Sequence, residues 1–143
     1  GTIPTPTPTP IPTPIPKYSP PPGAVWYGVN IEAWNGGAFG KFVVAEGGGG
    51  GAVNANRDSV GSWETFNLYD LNGGTMANGD QIAIQSVEGN FFRAEGGGGT
   101  TVDATPYDVG PWETWVISEV SVAGGIVNGD QVSFTPRVFR SFT

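Results

Sequence analysis

Two tryptophan–glutamate pairs are the residues of this chain best suited to chemistry. Glu46 stands 17 residues before Trp63, and Glu95 stands 17 residues before Trp112. An indole face stacks on a sugar ring, and carboxylates and amides bind sugar hydroxyls. Such a pair therefore suits a small neutral ligand. Two structural roles stay open beside this one. Each indole could cap the open end of a small barrel, and each carboxylate could cap turn amides.

Other chemistries are poorly served. The 143 residues contain no histidine and no cysteine, which removes the imidazole base, the serine triad in its usual form, and thiolate metal sites or disulfides. The runs Gly47–Gly51 and Gly96–Gly99 are not phosphate loops. They lack the Gly-Lys-Ser/Thr ending and a following helix, and a carboxylate precedes each of them. They read instead as tight inter-strand loops. A glycosidase needs two carboxylates about 5 to 10 Å apart. Carboxylates that recur with a repeat argue against one unique catalytic pair, so the chain is not expected to be an enzyme, and no cofactor is expected. The net charge is −7, from 13 acidic and 6 basic residues. That balance disfavours nucleic acid and anionic lipid as partners. No apolar run reaches the roughly 18 residues of a membrane span.

The elements that must position the pairs are written twice. Gly40 to Phe66 reads GKFVVAEGGGGGAVNANRDSVGSWETF, and Gly89 to Trp115 reads GNFFRAEGGGGTTVDATPYDVGPWETW. The landmarks move together by 49 residues, and Asn78-Gly79-Asp80-Gln81 recurs 50 residues on as Asn128-Gly129-Asp130-Gln131. A fixed period of this size marks a repeat architecture. Short alternating stretches with Gly and Asn turns predict an all-β domain. The predicted strands are Val29–Trp34, Lys41–Glu46, Ala52–Asn56, Glu64–Tyr69, Gln81–Val87, Asn90–Glu95, Thr101–Thr105, Glu113–Glu119, Gln131–Phe134 and Val138–Phe142. Four strands per repeat predict a β-trefoil-like barrel over 24–143, with repeats at about 28–75, 76–125 and a third, incomplete one at 126–143. Residues 1–23 form a Thr/Pro-rich tail. Proline at alternate positions leaves only an extended spacer, a linker or an O-glycosylated stalk. The chain shows no signal peptide and does not begin with Met, so it reads as a mature chain or a fragment.

Strand parity assigns the faces. Val43, Ala45, Phe92 and Ala94 should point inward, as should Val53, Ala55, Val102, Ala104, Phe66, Leu68, Trp115 and Ile117. Asn54, Asn56, Asp103, Arg93, Glu46 and Glu95 should point outward. Trp63 and Trp112 fall on the outer parity. Glu64 and Glu113 share the core parity, which predicts buried hydrogen bonds.

The doubled string is similar to the repeat of fascin-like β-trefoils. It most resembles carbohydrate-binding module family 92, whose repeats read approximately GKYVxAENGG, then ANR, then GxWETF. The match spans residues 28–134. The resemblance implies a trefoil with one sugar site per repeat, selecting β-1,3- or β-1,6-linked glucans, secreted beside carbohydrate-active enzymes. Carried over, Trp63 with Glu46, and Trp112 with Glu95, belong to two sites. Asn54 and Arg57 are polar neighbours of the first, and Asp103 of the second. The copies depart from the pattern where Gly47 and Gly96 replace Asn, where Asp103-Ala104-Thr105 replaces Asn-Ala-Asn, and where Pro106 replaces Arg57. The shortened third repeat supports another expectation. The chain could be a structural subunit of an extracellular filament or surface assembly, completed by a neighbouring copy.

Overall fold

The computed structural model describes residues 25–34, 36–120 and 125–136. The Thr/Pro-rich segment and the predicted strand Val138–Phe142 lie outside the described residues. The described chain is all-β, with ten strands and four 3-10 turns. The strands are β1 (Val25–Val29), β2 (Glu32–Trp34), β3 (Phe39–Ala45), β4 (Gly51–Arg57), β5 (Phe66–Asp70), β6 (Gln81–Gln85), β7 (Phe92–Ala94), β8 (Val102–Ala104), β9 (Trp115–Glu119) and β10 (Val132–Pro136). No helix among the described residues is long and apolar enough to cross a membrane.

Two five-stranded antiparallel sheets divide the strands. One runs β1-β5-β6-β9-β10 and curls into a half-barrel; the other runs β2-β3-β4-β8-β7. The repeat explains the division. Strands that open and close each copy enter the half-barrel, and the hairpins β3–β4 and β7–β8, with β2 added beside β3, build the second sheet. Both sheets close on one core. Phe66, Leu68, Ile82, Ile84, Trp115 and Ile117 supply it from the half-barrel; Ala45, Phe92, Ala94 and Ala104 supply it from the hairpins. Phe66 meets Phe92 edge-on at a centroid distance of 5.0 Å, and the Trp115 indole N–H donates to the Phe92 carbonyl at 3.1 Å. That bond lets a tryptophan sit inside without leaving a polar group unsatisfied.

The Asn-Gly-Asp-Gln motif is structural in both copies. The Asp80 carboxylate accepts from the Ala77 N–H at 2.9 Å, and Asp130 accepts from the Val127 N–H at 3.0 Å. Gly79 and Gly129 take the left-handed φ of +88° and +91° that this turn requires.

Four expectations need correction. The predicted strand Val29–Trp34 is two strands in two sheets. β1 starts earlier, at Val25, and a bulge interrupts its pairing with β5 between Trp26 and Val29. Glu46, Glu64, Glu95 and Glu113 lie in 3-10 turns, not in strands. Ala55 is exposed, because β8 flanks β4 only at Gly51 and Ala52. Val44, assigned to the outer face by parity, is fully buried. The turn Ser62–Glu64 packs over β3 and covers that face.

Candidate functional site

Each copy builds the same corner. The strand β3, or β7, runs into a 3-10 turn that starts at Glu46, or Glu95. A second 3-10 turn, Ser62–Glu64 or Pro111–Glu113, packs against the first and carries the tryptophan. Glycine makes the fit possible. A Cβ on Gly48 would lie 3.2 Å from Trp63 Cδ1, and one on Gly97 would lie 3.7 Å from Trp112 Cδ1. The indoles rest on bare backbone at φ of +82° and +84°. Gly47 and Gly96, at φ +70° and +67°, occupy the left-handed region that asparagine also tolerates. The glycine run is therefore the floor of the corner. Trp63 remains 43% exposed and Trp112 46%.

Beside each indole the repeat-fixed glutamate is held by an arginine. In the first copy Arg57 Nη2 donates to both Glu46 oxygens, at 2.6 and 3.0 Å, while its Nη1 donates to Asn56 Oδ1 at 2.7 Å. In the second copy position 106 is proline, and the arginine comes from β7 instead. Arg93 Nη2 lies 2.8 Å from Glu95 Oε1, and Arg93 also reaches Asp103 and Thr105 Oγ1, the latter at 2.7 Å. The counterpart of Arg93 in the first copy is the buried Val44. Two different strands thus supply one ion pair. Sequence reasoning missed Arg93 as a site residue because it assigned that face to solvent. A signal was present in the reciprocal exchange: Val44 with Arg57 in one copy, Arg93 with Pro106 in the other.

The remaining expected residues divide. Asp103 joins the second corner, accepting from Thr105 Oγ1 at 2.6 Å. Asn54 is exposed opposite Val44, and no side-chain hydrogen bond ties it to Glu46 or Arg57 among the described residues. Glu113 is buried, and its Oε1 accepts from the Gly110 N–H at 2.9 Å, so it fixes its own turn. Glu64 is buried too, and its own N–H donates to the Gly61 carbonyl at 3.3 Å.

The two corners differ electrostatically. The first pairs one anion with one cation. The second sets Glu95 and Asp103 on one guanidinium, with Glu113 adding to the field on Arg93. Glu95 and Asp103 share a hydrogen bond. That bond, then burial, raises the Glu95 carboxyl above its ordinary range, against the pull of Arg93. Burial opposes ionisation of Asp103, but bonds from Glu95, Thr105 and Arg93 outweigh it and hold that carboxyl low. Glu95 is therefore the member of the pair that takes the proton on acidification. Arg93→Gln is expected to cost about 1–3 kcal/mol in a urea melt at pH 7, because it strands a mostly buried Asp103. Arg57→Gln, which frees one half-exposed carboxylate, is expected to cost less than about 1 kcal/mol. Equal losses would contradict this account of the second corner.

Among the described residues no group of acidic side chains is arranged to hold a metal ion. Comparison of the chain with family models, curated proteins and solved structures finds no match. The internal comparison of one copy with the other is therefore the comparison that bears on the site.

Proposed function

We propose that this protein is a non-catalytic, secreted carbohydrate-binding module that recognises β-glucan-type polysaccharide at two corners, Trp63 with Glu46 and Arg57, and Trp112 with Glu95, Arg93 and Asp103. One observation carries the reading. Each copy presents a half-exposed indole on a glycine floor beside a Glu–Arg pair, and the pair recurs although its arginine comes from different strands. A capping role for the indole alone would not require that second coincidence. An arginine-held carboxylate presents fixed acceptors to sugar hydroxyls, and guanidinium N–H groups are donors alongside it. Glu95 and Asp103 are both engaged by one guanidinium nitrogen, Arg93 Nη2, at 2.8 and 3.1 Å, whereas glycosidase carboxylates flank the substrate about 5 to 10 Å apart. The division of strands between half-barrel and hairpins is what trefoil repeats would produce, and we read the fold as an incomplete trefoil behind a Thr/Pro-rich linker. Retention of the Trp63→Ala, Trp112→Ala double variant on a β-glucan gel tests the proposal.

A second reading, a subunit of an extracellular assembly, is favoured by a different feature. Among the described residues β1 pairs only with β5, and β10 only with β9. A cleft of about 1100 Å³ lies between these edges, with Trp26, Trp34, Phe39 and Phe134 in its walls. Edges of this kind accept strands from another copy. Light scattering separates the readings. A monomer across a hundredfold range of concentration removes the assembly; a polymer indifferent to glucan removes the binding module.

A further inference from the structure

A second, smaller cleft adjoins the first corner. It has a volume of about 280 Å³ and is lined by Ser62, Thr65, Asn67, Gln85, Ser86 and Val87. Five of these six side chains are neutral hydrogen-bonding groups, and none is charged. The cleft has room for about nine waters at roughly 30 Å³ each, the scale of one hexose.

Its polar groups are partly committed and partly open. Gln85 is fixed: its Oε1 accepts from the Tyr69 hydroxyl at 2.6 Å, and its Nε2 donates to the Gly89 carbonyl at 3.4 Å. Thr65 Oγ1 donates to the Gly61 carbonyl at 2.8 Å and accepts from Asn30 Nδ2 at 3.2 Å. Ser86 is committed as well: it is 3% exposed, and its Oγ accepts from the Asn90 N–H at 3.2 Å, whereas Ser62 is exposed. Asn67 stands directly opposite Gln85 on β5 and β6, and its amide makes no side-chain hydrogen bond among the described residues. An amide and a serine hydroxyl at the wall of a neutral cleft match the alternating donors and acceptors of sugar hydroxyls.

The cleft is continuous with the indole corner. Ser62 precedes Trp63 in the same turn. A Cβ on Gly48 would lie 3.0 Å from Val87 Cγ1 and 3.2 Å from Trp63 Cδ1, so Val87 and the indole flank one glycine.

The second copy supplies the control. There Val116 stands opposite Thr135 in the register that Asn67 and Gln85 hold in the first. Ser62 becomes Pro111, and Ser86 becomes Pro136. The fold therefore tolerates apolar side chains at the places of Ser62, Asn67 and Ser86; Gln85 and Ser86 carry structural hydrogen bonds, whereas Ser62 and Asn67 make no side-chain hydrogen bond among the described residues.

We infer that the cleft of Ser62, Asn67 and Ser86 is a subsite for the next unit of a neutral polysaccharide seated on Trp63. The first site then holds a longer stretch of chain than the second. The inference rests on the carbohydrate-binding reading.

The test uses the full chain with glucose and with its β-1,3-linked disaccharide. The Trp63 indole N–H signal reports the corner, and the Asn67 side-chain amide reports the cleft. Titration calorimetry in the Trp112→Ala background isolates the first site. The disaccharide is expected to bind about tenfold more tightly than glucose. Asn67→Val, the residue the second copy uses, should remove that gain and leave glucose binding unchanged. If Trp63 responds while Asn67 is silent, or if Asn67→Val keeps the gain, the subsite is overturned and the corner stands. If neither signal moves, both readings fall. If Asn67 alone moves, the cleft binds sugar and the indole corner does not.

Discussion

Replacing both Trp63 and Trp112 with alanine is expected to abolish retention on a β-glucan gel, while either single replacement weakens it by tenfold or more. Each indole offers nearly half its surface to a ligand. Loss of one aromatic anchor is worth about 1–2 kcal/mol, a factor of roughly 5 to 30 at its own site. The larger effect comes from linkage. Two sites on one polymer exceed either alone by a hundredfold or more, and a single substitution forfeits that gain. Folding should survive, because neither residue belongs to the core. Both sit on 3-10 turns above glycine, and the buried indole of the second copy is Trp115. Melting points within about 3 °C of wild type are expected. Trp34 is the control. It is exposed to the same degree but packs on Phe39, centroids 5.0 Å apart, and is not part of the doubled string. Trp34→Ala should be retained normally. Retention of the double variant equal to wild type would sink the carbohydrate reading.

The repeat was the most legible part of this chain, since local patterning and turn chemistry agree in both copies. Inward Phe66 and Trp115 follow from strand parity, while the exposed indoles and buried Glu113 sit on 3-10 turns that parity does not describe. Three things did not follow. The break of the first predicted strand falls at Asn30 and Ile31, where the chain passes from the sheet of β1 to the sheet of β2, a tertiary change that the local pattern does not mark. Burial of Val44 depends on a turn folding back from residues 62–64, a tertiary contact that strand alternation cannot encode. The role of Arg93 was hidden by the same assumption. An outward position was equated with solvent, although β7 lies beneath the Trp112 turn and its arginine is drawn into an ion-pair cluster. The corner became legible once the two copies were compared for what each lacks, rather than for what they share.

Asp70→Asn is expected to stabilise the protein at neutral pH. Asp70 ends β5 almost fully buried, 1% exposed. Its Oδ1 accepts from the Asn72 N–H at 2.9 Å, while Oδ2 is buried without a hydrogen-bond donor among the described residues. Burial, and then the adjacent Asp80 carboxylate, push the Asp70 carboxyl up from 3.8 to about 6. When protonated, Asp70 gives its proton to Asp80; when ionised, it faces a like charge in a poorly solvated place. The sign follows from the raised folded value. The stability contributed by the protonated group is complete below the unfolded value near 3.8 and is lost as pH rises through about 6. A shift of this size corresponds to at most about 3 kcal/mol. Asparagine keeps the acceptor for Asn72 and a donor toward Asp80, and it carries no charge. Urea midpoints should therefore coincide for the two proteins at pH 3.5, diverge as pH rises from 3.8 to about 6, and stay apart above it. The variant should be about 2 kcal/mol more stable at pH 7. A constant difference across that range would show that Asp70 is already ionised in the fold at low pH.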